Sequence, residues 1–210
     1  ERRLYFNVLN TDAGVDTEIF STPLDIAPTI LNLLDIEHDT SFLAGADLLR
    51  TPAEDAVRDT HNPARLNALR YINSNHLSTV ENETLYALSR LALTEIDYST
   101  AIENVEYSGA ALEFDATTDD PYFLLPSLDY DDAMLYLTLE TDEKLAVTVY
   151  YEEKLGEGYS DEKTLLREIE VGLNQLVFDL EGIADESRIR IDPGHLPGRY
   201  TILALEIRSG

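Results

Sequence analysis

The chain is 210 residues long and 44% hydrophobic, enough for one medium domain or two small ones around a buried core. Its 41 acidic and 15 basic side chains leave a formal net charge of −26, which repels phosphate backbones and anionic headgroups and sets aside nucleic acids and polybasic membrane contact. With no cysteine, a disulfide framework and a thiolate metal site are both excluded, and no run reaches the roughly 18 apolar residues of a membrane span.

Acidity is general: residues 1–100 carry 7 basic and 16 acidic side chains, residues 101–210 carry 8 and 25. It reads as a solvated, salt-tolerant surface. The first residues lack the charged, apolar and small-residue succession of a secretion signal, so Glu1 is expected to be a cut end. "RRLYFNVLN" has the β-branched and aromatic run of a strand, and "TDAGVDTE" supplies the turn after it.

In "STPLDIAPTILNLLDI", Ser21 to Ile36, Asp25 can cap a helix that tolerates Pro28 in its first turn. Ile26, Ile30, Leu33 and Leu34 recur on one face of that helix and require a partner layer, which the few preceding residues cannot supply; the layer is expected upstream. Residues 43–59 mix a Gly turn, short apolar contacts and charge, the pattern of a surface excursion. "HNPARLNALRYIN" predicts a second helix, with Asn62 as cap, Pro63 at its first position and Leu66, Leu69 and Ile72 on one side. "STVENETLYALSRLALTEI" predicts a third, with a capping box from Ser78 to Glu81 and a stripe through Leu85, Leu88, Leu91 and Ala92.

After about Ser99 the hydrophobic period drops from 3.6 to 2. "GAALEFDAT", "YFLLPS", "DAMLYLTLET", "KLAVTVYYEE", "LLREIEV", "NQLVFDLEG", "SRIRID" and "RYTILALEIR" are eight short strand-like runs separated by turn clusters, the pattern of a sandwich or barrel. Leu135, Leu137 and Leu139 alternate with Tyr136, Thr138 and Glu140, and Ile189 and Ile191 with Arg188, Arg190 and Asp192, predicting one dry and one wet face. The fold class is α+β: a short α/β piece over residues 1–60, a helical connector over 61–99 and an antiparallel β-sandwich over 100–210.

Chemistry-bearing patterns are sparse. His38, His61, His76 and His195 form no HxH or HxxxH pair, which argues against zinc. There is no Gly-rich phosphate loop, no GxSxG elbow and no serine near a histidine with an acidic orienter, so the predicted catalytic, cofactor and metal residues of this chain are none. Asp115, Asp119 and Asp120, and Asp129, Asp131 and Asp132, cluster at strand ends where hard oxygens could hold calcium, although aspartate is also an ordinary turn former and no EF-hand spacing is present. Tyr150 and Tyr151 must point to opposite faces, one to the core and the other free to stack on a sugar ring or to pack at an interface. The "NET" sequon at Asn82 falls inside the predicted third helix and is read as coincidence.

"FSTPLDIAPTILNLLDI" followed by "AGADLL" resembles the C-terminal end of the catalytic domain in the sulfatase and phosphoglycerol transferase branch of the alkaline-phosphatase superfamily, through Ser21, Asp25, Pro28, Thr29, Gly45, Asp47 and Leu48. The likeness covers about residues 1 to 50. It implies a divalent-metal enzyme whose nucleophile and metal ligands precede this segment, so the matching residues here are expected to be structural. "GLNQLVFDLEG" and "RIRIDPGHLPGRYTILALEI" resemble a jelly-roll-like sandwich appended to bacterial cell-surface glycosyltransferases, through Gly172, Asn174, Arg190, Asp192, Pro193 and Gly194. Physically, Asp192-Pro193-Gly194 suits a tight turn, and Arg190 can pair with an acid on a neighbouring strand.

Three readings follow, the third being a calcium-stabilised structural domain. In the first, the chain is the C-terminal part of an envelope phosphoglycerol transferase or sulfatase-like enzyme, extracytoplasmic, with the sandwich positioning it on glycan or envelope polysaccharide. In the alternative, it is a non-enzymatic carbohydrate- or protein-binding β-sandwich. A helix at Pro28 to Leu34 packed dry against the sandwich favours the alternative; an exposed one favours the first.

Overall fold

The computed structural model describes residues 21–37, 44–50, 61–109, 111–130 and 132–209 apart from 78–82, with the backbone alone for His76 and Leu77. The predicted N-terminal strand, the capping box at Ser78 and Glu81, the Asn82 sequon, His38, Asp131 and the His76 side chain lie outside these residues.

Two antiparallel sheets face each other. The first has the order β3 (Ile102–Ser108), β4 (Ala111–Ala116), β11 (Gly198–Ser209), β6 (Ala133–Thr141), β9 (Gly172–Asp179), with β1 (Thr84–Ala87) also on β11. The second has the order β2 (Asp97–Tyr98), β5 (Phe123–Leu124), β10 (Arg190–Asp192), β7 (Leu145–Tyr150), β8 (Thr164–Ile169). The long β11 lies along β6, while its other side is shared by β4 near the start and β1 near the end.

Alternation builds the core. Leu135, Leu137 and Leu139 of β6 and Val147 and Val149 of β7 send side chains between the sheets, joined by Phe114, Phe123, Leu176, Phe178, Ile191 and Ile207. Each such burial contributes about 1.5–3 kcal/mol relative to an exposed side chain, which is what holds two short-stranded sheets together. All eight predicted runs hold a strand of this sandwich.

The region before Ser99 departs from expectation. Residues 84–87 do not form the predicted third helix: Thr84, Tyr86 and Ala87 pair with Arg208, Ile207 and Glu206 of β11, and Tyr86 is buried in the core. A leucine-and-tyrosine run spaced by three satisfies a helix stripe locally, but the unpaired side of β11 offers it a ladder and the core a place for the Tyr86 ring. A 3-10 turn at Ala92–Glu95 and β2 follow, so two sandwich strands precede Ser99. β3 is a further strand that the pattern omits; most of its side chains face water.

The first helix forms where expected, a 3-10 turn at Pro23–Asp25 running into α1 (Ile26–Leu33). Asp25 stands at the N-cap, yet its side chain makes no capping bond to α1. Its carboxylate instead accepts from the Ala46 N–H at 2.7 Å and from Arg65 Nη2 at 3.2 Å, in an ion pair whose two side chains are 0% and 3% exposed. Thr29 Oγ1 donates to the Asp25 carbonyl at 2.6 Å and accepts from the Leu48 N–H at 3.1 Å. Ala44, Gly45, Ala46 and Asp47 are therefore buried, which corrects the surface excursion for that stretch. A Cβ on Gly45 would lie 2.3 Å from the Leu24 carbonyl oxygen, a closeness that only glycine permits. The predicted apolar face of α1 is not enclosed: Pro28 and Thr29 are buried while Ile30 and Leu34 are exposed.

α2 (Pro63–Leu77) has its predicted cap, the Asn62 Oδ1 accepting from the Arg65 N–H at 3.2 Å. Its buried side is not the predicted Leu66, Leu69, Ile72 stripe; Arg65, Asn67 and Ala68 face inward, and Leu66 and Ile72 stand in solvent. The reason is what α2 meets. It lies over β9 and β8, the strands where both sheets end, and polar groups answer polar ones there: Asn67 Nδ2 donates to the Glu168 carbonyl at 2.7 Å. Tyr71 sets its ring edge-on to Tyr136 at 5.5 Å, and both Tyr136 and Thr138, predicted to be wet, are buried. Among the described residues, no helix is long and apolar enough to cross a membrane.

Candidate functional site

Among the described residues, the helix that meets the second sheet is α2, at the end strand β8. β7 sends Leu145, Val147 and Val149 inward, so Tyr150 points out; Tyr151 packs back against the core. β10 sends Ile191 inward, so Arg190 and Asp192 point out. The ladder sets Arg190 opposite Tyr150 on one side and Leu124 on the other.

Arg190 is held from four directions. Its guanidinium carbon lies 3.9 Å from the Tyr122 ring centroid and 5.0 Å from that of Tyr150. Asp192 accepts in a fork from Nε at 2.7 Å and Nη2 at 2.8 Å, and Asp120 accepts from Nη2 at 2.6 Å. These bonds correct the expectation of an acid on the neighbouring strand: one acid sits two residues on in the same strand, the other in the loop before β5. The Asp192 hydrogen bond raises the Arg190 pKa further above its ordinary range, so the cation is permanent. Burial pushes the Asp192 carboxyl up from its ordinary value, outweighing the pull of Arg190.

The arrangement leaves specific atoms unused. Among the described residues, Arg190 Nη1 has no hydrogen-bond partner and is not sealed from solvent. Asp120 is 65% exposed, with one oxygen on Arg190 and the other open. An unused donor on Arg190 and an unused acceptor on Asp120 thus belong to one cluster with the Tyr122 and Tyr150 rings. One guanidinium against two carboxylates leaves the cluster with about one net negative charge, which disfavours an anionic ligand and suits a neutral one bearing adjacent hydroxyls.

The loop between β7 and β8 brings a third ring. Buried Glu152 accepts from the Gly156 N–H at 3.2 Å and the Gly158 N–H at 2.7 Å, and both glycines adopt positive φ (80° and 83°) to turn the loop around that carboxylate. Tyr159 follows, its hydroxyl donating to the Arg188 carbonyl at 3.0 Å, two residues before Arg190. Arg188 donates to the Leu125 and Leu124 carbonyls at 2.8 and 3.2 Å and pairs with Asp97, fixing this side of the face.

Of the other predicted positions, Asp115 accepts from Asn104 Nδ2 at 2.8 Å and His61 and His195 are exposed. Among the described residues, no three His, Asp or Glu side chains converge to hold a metal ion, so no step through a metal is assigned. Asp192-Pro193-Gly194 is not the expected tight turn: Pro193 and Gly194 are buried, and a Cβ on Gly194 would lie 2.5 Å from the Tyr200 hydroxyl. Gly172 does turn (φ 97°), and Asn174 Nδ2 closes it on the Glu170 and Gly172 carbonyls at 2.6 and 3.0 Å. Tyr122 opens the predicted run "YFLLPS" with nothing to single it out as a site residue, and Tyr159 lies outside every predicted strand, with only the "GEG" turn before it hinting at an ordered loop.

A second concavity, 360 Å³ in volume, is lined by Tyr71, Ile72, Asn75 and Gln175. Its Asn75 amide is already engaged, donating to the Tyr71 carbonyl at 3.0 Å and accepting from Arg208 at 3.1 Å.

No protein-family model and no curated protein matches the chain. Solved structures similar to it include a carbohydrate-binding module of family 29 (15% identity over 62% of this chain and 91% of that one, TM-score 0.46). Another is the CsCBM6-3 module of Clostridium stercorarium in complex with cellobiose (8% identity, 60% and 95% coverage, TM-score 0.41). At these TM-scores the likeness adds nothing to the architecture, which rests on the strand ladders.

Proposed function

We propose that the β-sandwich is a non-catalytic carbohydrate-binding module whose ligand is a neutral oligosaccharide lying across the outer face of the second sheet. The carrying observation is Arg190, fixed by Asp192 and Asp120 between Tyr122 and Tyr150 with Nη1 left open. A sugar presents adjacent hydroxyls, which accept from Nη1 and donate to the open Asp120 oxygen, and apolar C–H faces, which suit the face of a tyrosine ring. Because the guanidinium is held before the ligand arrives, little side-chain entropy is lost on binding. A glycan array probed with the whole chain tests this: retention on neutral glucans, xylans or mannans, lost in Arg190→Ala, supports it, and no retention on any neutral glycan overturns it.

A second reading concerns the N-terminal segment. Of the seven residues that carry its resemblance to sulfatase-like enzymes, Asp25, Pro28, Thr29, Gly45 and Asp47 are buried around the Asp25 carboxylate, the Thr29 hydroxyl and the Gly45 backbone, while Ser21 is exposed and Leu48 half-buried, and α1 leaves Leu34 exposed. This favours a parent polypeptide that is a phosphoglycerol transferase or sulfatase-like enzyme of the cell envelope, extracytoplasmic and divalent-metal dependent, with this sandwich as its glycan-positioning part. Sequencing the gene across the codon for Glu1 decides it: an upstream Thr or Ser nucleophile with Asp and His ligands supports the reading, and a start codon there removes it.

A further inference from the structure

Where α2 crosses β8, each element carries an arginine that forms no ion pair among the described residues, Arg70 on the helix and Arg167 on the strand. Asn67 marks the place: its Nδ2 donates to the Glu168 carbonyl of β8 at 2.7 Å, and its Oδ1 accepts from Arg70 Nη1 at 3.2 Å. Arg167, adjacent to Glu168, points the opposite way from it along the strand, into the gap between the two sheets, with its guanidinium carbon 5.2 Å from the centroid of the Phe178 ring of β9. Arg167 Nη1 donates to the Leu166 carbonyl at 2.9 Å, while its Nε is buried with no hydrogen-bond partner among the described residues.

Among the described residues neither arginine forms an ion pair, in a chain with 41 acidic side chains where Arg65, Arg188, Arg190, Arg199 and Arg208 each do. The two cations act on each other: burial and then the nearby Arg70 hold the Arg167 pKa below its usual range. Like charges drawn together beside a desolvated guanidinium raise the local potential, and a bound oxyanion would relieve both terms. The general acidity of the molecule does not cancel this field, because at physiological salt charges beyond about 8 Å are largely screened.

We infer that the seam of α2 and β8 is a second binding site, separate from the Arg190 face, that takes a carboxylate or sulfate group between Arg70 and Arg167. The oxyanion accepts from the outward nitrogens of both guanidiniums, with Asn67 holding Arg70 in place. The group could be borne by an acidic polysaccharide or be a free inorganic anion; the contact chemistry is the same.

Titrating the isotopically labelled chain at constant ionic strength, adjusted with sodium chloride, separates these sources. Sodium sulfate and an oligogalacturonate are added in separate arms, and the amide resonances of residues 67–70 and 166–168 are followed. Saturable shifts with either anion that are weakened at least tenfold in Arg70→Gln, a solvent-exposed change that keeps the fold, support the site. Tighter binding of the oligogalacturonate assigns it to an acidic glycan, and binding of sulfate alone to a free anion. Shifts that neither anion produces beyond chloride, or that survive Arg70→Gln unchanged, overturn it. Because Arg70 is remote from Arg190, a neutral-glycan titration of the same variant reports the other face separately.

Discussion

The two sheets carry the same device and use it differently. On the first, Arg208 stacks 4.9 Å from the Tyr136 ring, forks onto Glu206 two residues away in its own strand, and gives Nη1 to the Asn75 amide of α2. On the second, Arg190 stacks 5.0 Å from Tyr150, forks onto Asp192 two residues away, and has nothing on Nη1. In both the tyrosine is on the neighbouring strand, and in one a helix supplies an amide and a ring where in the other no described residue does. A polar, partly aromatic occupant is therefore what this arrangement accepts, and the protein itself demonstrates one. The lesson is that a strand motif becomes packing or binding surface according to whether another element of the chain reaches it.

The contrast is broken most severely at the tyrosines. Tyr136→Ala removes the ring on which Tyr71 rests and opens a buried hole, so unfolding in urea should shift by about 3 kcal/mol, near the lower end of aromatic-to-alanine costs. Tyr150→Ala, at a half-buried surface position, should cost under about 1 kcal/mol of stability and yet abolish glycan retention. Equal stability losses would erase the distinction drawn between the faces.

The arginines give the next largest effect. Arg190→Ala should weaken neutral-glycan binding by roughly 10- to 100-fold, the worth of about 1.5–3 kcal/mol for hydrogen bonds to a charged group, while Arg208→Ala leaves affinity unchanged and loosens α2. Calorimetric titration of both variants checks the pair; a matching loss in Arg208→Ala would place the ligand elsewhere.

pH sharpens the comparison further. The folded Asp192 carboxyl has its pKa raised by burial, so the folded state holds that proton more tightly than the unfolded chain does. Its contribution to stability is therefore full below the ordinary aspartate value of about 4 and declines as pH rises through the raised one. Binding runs the other way, because protonation breaks the fork that aims Arg190. Affinity should fall on acidification at a pH above the ordinary aspartate range, and Asp192→Asn should flatten that profile; a fall that persists in the variant assigns it to another group.

The smallest effect lies at the edge of the first sheet. Glu103 faces Asp115 and Glu106 faces Glu113 across β3 and β4, relieved by the Arg199–Glu113 pair. Like charges directly opposite weaken a ladder, so Glu106→Lys should stabilise by about 0.5 kcal/mol, and raising salt from about 0.1 to 1 M should raise the Tm of the parent chain more than that of the variant. Identical salt slopes would mean this edge does not feel its own charge.

Much of the sandwich is legible in the sequence because alternation is a local signal: Leu135, Leu137, Leu139 and Ile189, Ile191 declare which way their strands face without reference to a partner. β3 is not legible, since Glu103, Asn104, Val105 and Glu106 are all exposed and an edge strand of that kind has no dry side to alternate with. Residues 84–87 mislead because leucines spaced by three fit a helix, and the deciding ladder is with β11 at the far end of the chain. The site divides the same way. Tyr150 and Arg190 can be picked out from their strands, whereas Asp120, Tyr122 and Tyr159 come from loops whose convergence depends on tertiary structure, in particular the turn around Glu152.

The most direct measurement follows the arginine side chains themselves by nitrogen-detected NMR while a neutral oligosaccharide is titrated in. The Arg190 guanidinium resonances should move saturably, with the Arg208 resonances fixed as an internal control beneath α2. If a glycan that binds the chain moves Arg208 and leaves Arg190 still, or moves neither, the open face of the second sheet is not where sugar is held.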